Sequence, residues 1–79
     1  MADARRANRH MVLKAGTIKF GGNTIHCLVR NLSTSGAALE VSGQTQLPGR
    51  FVLQVPADRL HLPCRTLWRN QYRVGVAFG

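Results

Sequence analysis

Acidic residues are scarce in this 79-residue chain: Asp3, Glu40 and Asp58 are its only carboxylates. Asp3 stands near the N-terminus and Glu40 alternates outward from a predicted strand. No two carboxylates are spaced as an acid–base pair. Cysteine is equally sparse. Cys27 and Cys64 lie far apart and form no C-x-x-C pair, which excludes a disulfide scaffold and a zinc-ribbon spacing. They read as two small buried thiols of a reduced, cytoplasmic protein, with a Cys27–Cys64 disulfide as the alternative. His10, His26 and His61 are scattered, each reading as an exposed polar residue. Cys64 and His61 point to opposite faces of one strand and make no nucleophile–base pair. Apolar runs of only a few residues exclude a membrane-spanning helix. The N-terminus has no apolar segment behind its charges, so it is not a secretory signal. No Walker-type loop occurs, and the length excludes large cofactor folds. These absences point away from an enzyme and from a bound metal or cofactor.

Positive charge is abundant. Eleven Lys and Arg give a formal net charge of +8, and only Lys14 and Lys19 among them are lysines. Guanidinium offers forked donors and a stacking face, so an arginine surplus suits a planar or phosphate-bearing anion. A basic surface kept for solubility is the plainer reading. An apolar content of 44% supports a folded core. A domain of this size buries only roughly 60–65% of its unfolded surface, so it is a single unit.

From Val12 onward the apolar residues recur with period two, broken by turn residues. Val12 to Phe20 reads as a strand, with Gly16 marking a bulge or a close approach. Gly21-Gly22-Asn23 reads as a hairpin connection. Ile25, Cys27 and Val29 share one face of a second strand, and Ala37, Leu39 and Val41 alternate with Ala38 and Glu40 in a third. Ser42 to Arg50 is a loop, and Phe51 to Val55 a fourth strand. Leu60, Leu62, Cys64, Thr66 and Trp68 share one face of a fifth, which assigns Trp68 to the core. Asn70-Gln71 turns into a last strand with Val74, Val76 and Phe78 inward. Six short strands at this spacing predict an all-β domain, a small antiparallel six-stranded β-barrel over residues 12–79. Residues 1–11, with three arginines and few apolar residues, predict a flexible basic N-terminal arm.

Two strings stand out. The arm carries Arg5-Arg6-Ala7-Asn8-Arg9, an R-x-x-x-R spacing. Asn31-Leu32-Ser33-Thr34-Ser35-Gly36 is an N-x-S-x-x-G string between two strands. By itself it reads as a turn in which Asn and Ser cap backbone amides and Gly takes a positive φ. In this order, and with the closing Trp68-Arg69 and Gly75-Val76-Ala77-Phe78 elements, the chain resembles the PilZ domain, a bacterial receptor module for cyclic di-GMP. The resemblance runs from Arg5 to Phe78.

The resemblance implies a six-stranded barrel, cyclic di-GMP as the ligand, and binding by Arg5, Arg6, Arg9, Asn31, Ser33 and Gly36. Arg5 and Arg9 suit guanine O6 and N7 and the phosphates, while Arg6 either adds a third contact or faces solvent. Asn31 meets a guanine edge with one acceptor fewer than the Asp of many relatives and without its charge, which predicts weaker binding. Ser33 offers a hydroxyl, and Gly36 lets the ligand approach the backbone. Trp68 has a possible supporting role, since the corresponding Trp of relatives lies near the ligand. The implied mechanism is a switch: ligand orders the arm over the barrel, and the new surface signals to a separate effector protein. The chain stops at Gly79 without the C-terminal helix or output domain of many relatives, and so reads as a stand-alone module. Two rivals remain: a PilZ-like protein adaptor without ligand, and a basic barrel binding single-stranded nucleic acid. The second is disfavoured because most of the five aromatics alternate inward.

Overall fold

The computed structural model describes residues 10–43 and 45–79, with side chains described from residue 13 onward. Six strands follow one another: β1 (His10–Phe20), β2 (Asn23–Leu32), β3 (Gly36–Glu40), β4 (Arg50–Val55), β5 (Leu60–Arg69) and β6 (Arg73–Phe78). They close into an antiparallel barrel in the order β1-β2-β3-β6-β5-β4. Closure gives every strand two neighbours, with β1 meeting β4 only at residues 17–19. A 3-10 turn, Pro56–Asp58, joins β4 to β5. No helix among the described residues is long and apolar enough to cross a membrane.

Period-two patterning builds the core. Ile18, Val29, Leu39, Leu53, Val55 and Val74 are wholly buried, one or two from each of five strands. β5 adds Cys64, and β2 adds Cys27. Both thiols are free. Burial pushes each from an ordinary 9.0 up to about 11, which keeps them protonated and poor nucleophiles at neutral pH. Gly16 marks a close approach: a β-carbon there would lie 3.1 Å from Val29 Cγ2 and 3.2 Å from Cys27 Sγ. The β1–β2 connection is a two-residue hairpin, with Gly21 and Gly22 at φ 53° and 83°. Positive φ at both central residues is the type I′ requirement.

Three one-residue irregularities reshape this regular barrel. The register slips between Met11 and Lys14 on β1, between Val29 and Asn31 on β2, and between Thr66 and Trp68 on β5. Each inserts an unpaired residue and resets which side the following residues face. The third corrects the assignment of Trp68 to the core. Leu67 is the extra residue, so Leu67 and Trp68 both turn outward, with Trp68 48% exposed. Phe51 is buried and Phe20 and Phe78 pack against the core, while Tyr72 is exposed. β1 also begins at His10, two residues ahead of the alternation that starts at Val12.

Candidate ligand groove

The N-x-S-x-x-G string is the β2–β3 hairpin. The β2 irregularity carries the strand through Asn31 and Leu32, which pair with Ala38 and Ala37 of β3. Ser33 then organises the turn. Its backbone N–H donates to the Gly36 carbonyl at 2.9 Å. Its Oγ accepts from the Gly36 N–H at 3.2 Å and the Ser35 N–H at 3.3 Å. The same hydroxyl lies 3.2 Å from the Gly36 carbonyl, to which it donates. One donor and two acceptor sites are thereby occupied, so Ser33 fixes the shape of the hairpin.

Gly36 is a glycine for a different reason than a positive φ. Its φ lies outside the left-handed region, where the described glycines are Gly21, Gly22 and Gly79. A β-carbon on Gly36 would stand 2.2 Å from the carbonyl oxygen of Val76. Close approach of β3 to β6 therefore demands the missing side chain. This corrects the reading of the string as a turn closed by a left-handed glycine.

Asn31 carries an unmet demand. Its Oδ1 is buried and has no hydrogen-bond partner, and such a group costs about 1–3 kcal/mol. It does not cap the turn; the hairpin's capping falls to Ser33.

Asn31, Ser33 and Gly36 line one groove of about 400 Å³ on the outer wall, together with Trp68. The floor is of small residues, Ala38 and Gly75 paired across β3 and β6, then Ala77. Trp68 and Leu67 of β5 wall it. The β5 irregularity that removes Trp68 from the core thus delivers it to the groove. Sequence alternation missed Leu67, Gly75, Ala38 and Ala77 as lining residues; the Gly75-Val76-Ala77-Phe78 element was the one available signal. No charged residue lines the groove among the described residues. Nearby, Glu40 of β3 is engaged by Arg30 at 3.3 Å and Arg73 at 3.9 Å. No group of three His, Cys, Asp or Glu residues forms a metal-ligand set among the described residues.

The start of β1 runs along this hairpin. His10 pairs with Leu32 and Met11 with Asn31. Arg5, Arg6 and Arg9 lie outside the described residues, but the chain that carries them enters the barrel beside Asn31.

The chain is thus a small closed six-stranded β-barrel whose N-terminal strand borders a groove at an N-x-S-x-x-G hairpin. The model of the PilZ domain family matches residues 3–79, and the chain belongs to that family. PilZ domains are in general cyclic di-GMP-binding modules. A comparison with curated proteins finds no match.

Proposed function

We propose that this protein is a bacterial, cytoplasmic cyclic di-GMP receptor that closes its N-terminal arm over the groove and signals to a separate effector protein. The observation that carries the reading is the register of β1 on β2, with His10 opposite Leu32 and Met11 opposite Asn31. Arg9 is the residue next to His10 in the sequence, and Arg5 stands four residues before it.

The chemistry is complementary. The groove is uncharged among its described lining residues, and the arm brings the positive charge that two phosphates require. Arg5 and Arg9 meet phosphate oxygens and guanine O6 and N7, and Arg6 reinforces them. Asn31 sits at the groove with a buried, unsatisfied Oδ1, and a turn of its side chain toward the groove lets it accept from a guanine N–H or from an arm guanidinium. Ser33 positions the hairpin and Gly36 keeps β3 tight against β6. The single Trp68 ring offers one stacking face. With Phe20, Phe51 and Phe78 on the core side, the described wall lacks the row of rings that single-stranded nucleic acid binding uses. Ligand charge compensates the arm arginines only in the closed state, so binding shifts the arm toward closure.

Calorimetric titration with cyclic di-GMP tests the reading on the wild type, Arg9→Ala and Ser33→Ala. Binding in the wild type that falls by about tenfold or more in Arg9→Ala is expected. Ser33→Ala weakens binding through a loosened hairpin. A silent wild type, with a salt-steep response to single-stranded DNA, overturns the reading.

A further inference from the structure

One charge arrangement on the outer wall has no explanation in the fold. Arg50 of β4 and Arg65 of β5 are direct cross-strand partners, and both are exposed. Directly opposed like charges destabilise a sheet, with Cβ atoms only about 4.5–5.5 Å apart. Among the described residues neither guanidinium has a carboxylate. Asp58 is taken by Lys14, and Glu40 by Arg30 and Arg73.

The registers that build the groove also place this pair. Arg65 opposes Ala77, and Ala77 opposes Gly36. One transverse row therefore runs Arg50, Arg65, Ala77, Gly36 across β4, β5, β6 and β3. Ala77 and Gly36 line the groove. Adjacent strands are about 4.8 Å apart, which puts Arg65 one strand from the groove floor. Nothing larger than the Ala77 methyl rises on the row between them.

We propose that Arg65 and Arg50 form a cationic subsite at the β5 margin of the groove that takes a phosphate of the bound ligand. The inference rests on the groove being the ligand site. Guanidinium forks meet two oxygens of one phosphate, and a phosphate between the two arginines removes their mutual repulsion. The groove then has a positive pole at its β5 margin, beside an otherwise uncharged lining. A carboxylate-rich protein segment is the competing occupant, and the test separates the two.

The test compares the full wild-type chain with Arg65→Gln and the double variant Arg50→Gln/Arg65→Gln. Removing like charges relieves repulsion, so the variants fold at least as stably, which thermal melts verify. Amide NMR titration with inorganic pyrophosphate is expected to shift residues 50, 65 and 77 in the wild type and not in the double variant. Cyclic di-GMP is expected to bind the double variant about tenfold more weakly, with a shallower dependence on salt. Wild-type affinity and salt slope in the double variant overturn the subsite. So does pyrophosphate that leaves residues 65 and 77 unshifted, or a glutamate-rich peptide that shifts them where pyrophosphate does not. If cyclic di-GMP fails to bind the wild type while pyrophosphate still shifts residues 65 and 77, the receptor reading falls and the anion subsite stands.

Discussion

Trp68 lies across Gly75, its Cα partner on the neighbouring strand. A β-carbon on Gly75 would stand 2.1 Å from Trp68 Nε1 and 2.3 Å from Cε2. The indole rests on bare backbone, and the glycine is what allows it to lie flat on the wall. Gly75→Ala is expected to lift the ring into solvent. Because Trp68 is the sole tryptophan, its fluorescence reports the change as a red-shifted emission. The ring is already half exposed, so the stability cost falls near the low end of overpacking, about 1 kcal/mol. An unchanged emission maximum would show that the ring does not depend on Gly75.

Gly36 makes a sharper demand, because its neighbour is the Val76 carbonyl and not a side chain. Backbone in a paired strand has little room to yield. Gly36→Ala is expected to cost about 1–3 kcal/mol in urea unfolding, by forcing β3 away from β6 at the groove. Gly49 is the control: a β-carbon there meets nothing within 4 Å, so Gly49→Ala is expected to be close to neutral. Equal effects at the two positions would refute the close-approach explanation.

The sites of these two glycines also mark where sequence patterning stopped. Alternation found all six strands, the Gly21-Gly22 hairpin and the shared faces that hold Cys27, Val29, Leu39, Cys64, Val74 and Val76, because burial on one face enforces period two. It failed at Trp68. A one-residue bulge has no composition of its own, yet it reverses every side chain beyond it. The bulge at Leu67 therefore moved a large aromatic from the core to the outer groove without leaving a mark on the pattern. The same limit applies to Gly36, whose requirement comes from Val76, a residue forty positions away. Asn31 and Ser33 were legible as a string, but their division of labour was not. Only the hydrogen bonds assign the capping to Ser33 and leave Asn31 Oδ1 without a partner.

Arg59 sits at φ 56°, ψ 34°, in the left-handed region directly after the Pro56–Asp58 turn. It is the one non-glycine residue at positive φ among the described residues. Left-handed backbone costs an L-residue about 1–2 kcal/mol, and glycine escapes that cost while losing about 0.5–1 kcal/mol in chain entropy. Arg59→Gly is expected to raise stability by about 0.5–1 kcal/mol, read as a higher melting temperature. Arg59→Ala keeps the strain and is expected to give no gain. A gain of equal size in both variants would place the effect in the charge of Arg59 and not in its backbone.

The two barrel thiols make stability depend on alkaline pH. Burial raises Cys27 and Cys64 from 9.0 in the open chain to about 11 in the barrel. For Cys27 the neighbouring Cys64 adds to the effect. Between those values the unfolded chain releases thiol protons that the native state keeps, so unfolding gains on folding as pH rises. The stabilisation from neutral thiols is fully present below pH 9 and is expected to decline from about pH 9 to about pH 11. Urea midpoints across that window should fall in the wild type and fall less in Cys27→Ala/Cys64→Ala, whose own baseline is lower because two core side chains are truncated. Reaction with a disulfide reagent supplies a second measure. At pH 8 both thiols are expected to react only as fast as the barrel opens, and to become fully reactive in urea. Rapid labelling of the native protein at pH 8, or a pH dependence identical in the double variant, would rule out buried thiols as the source.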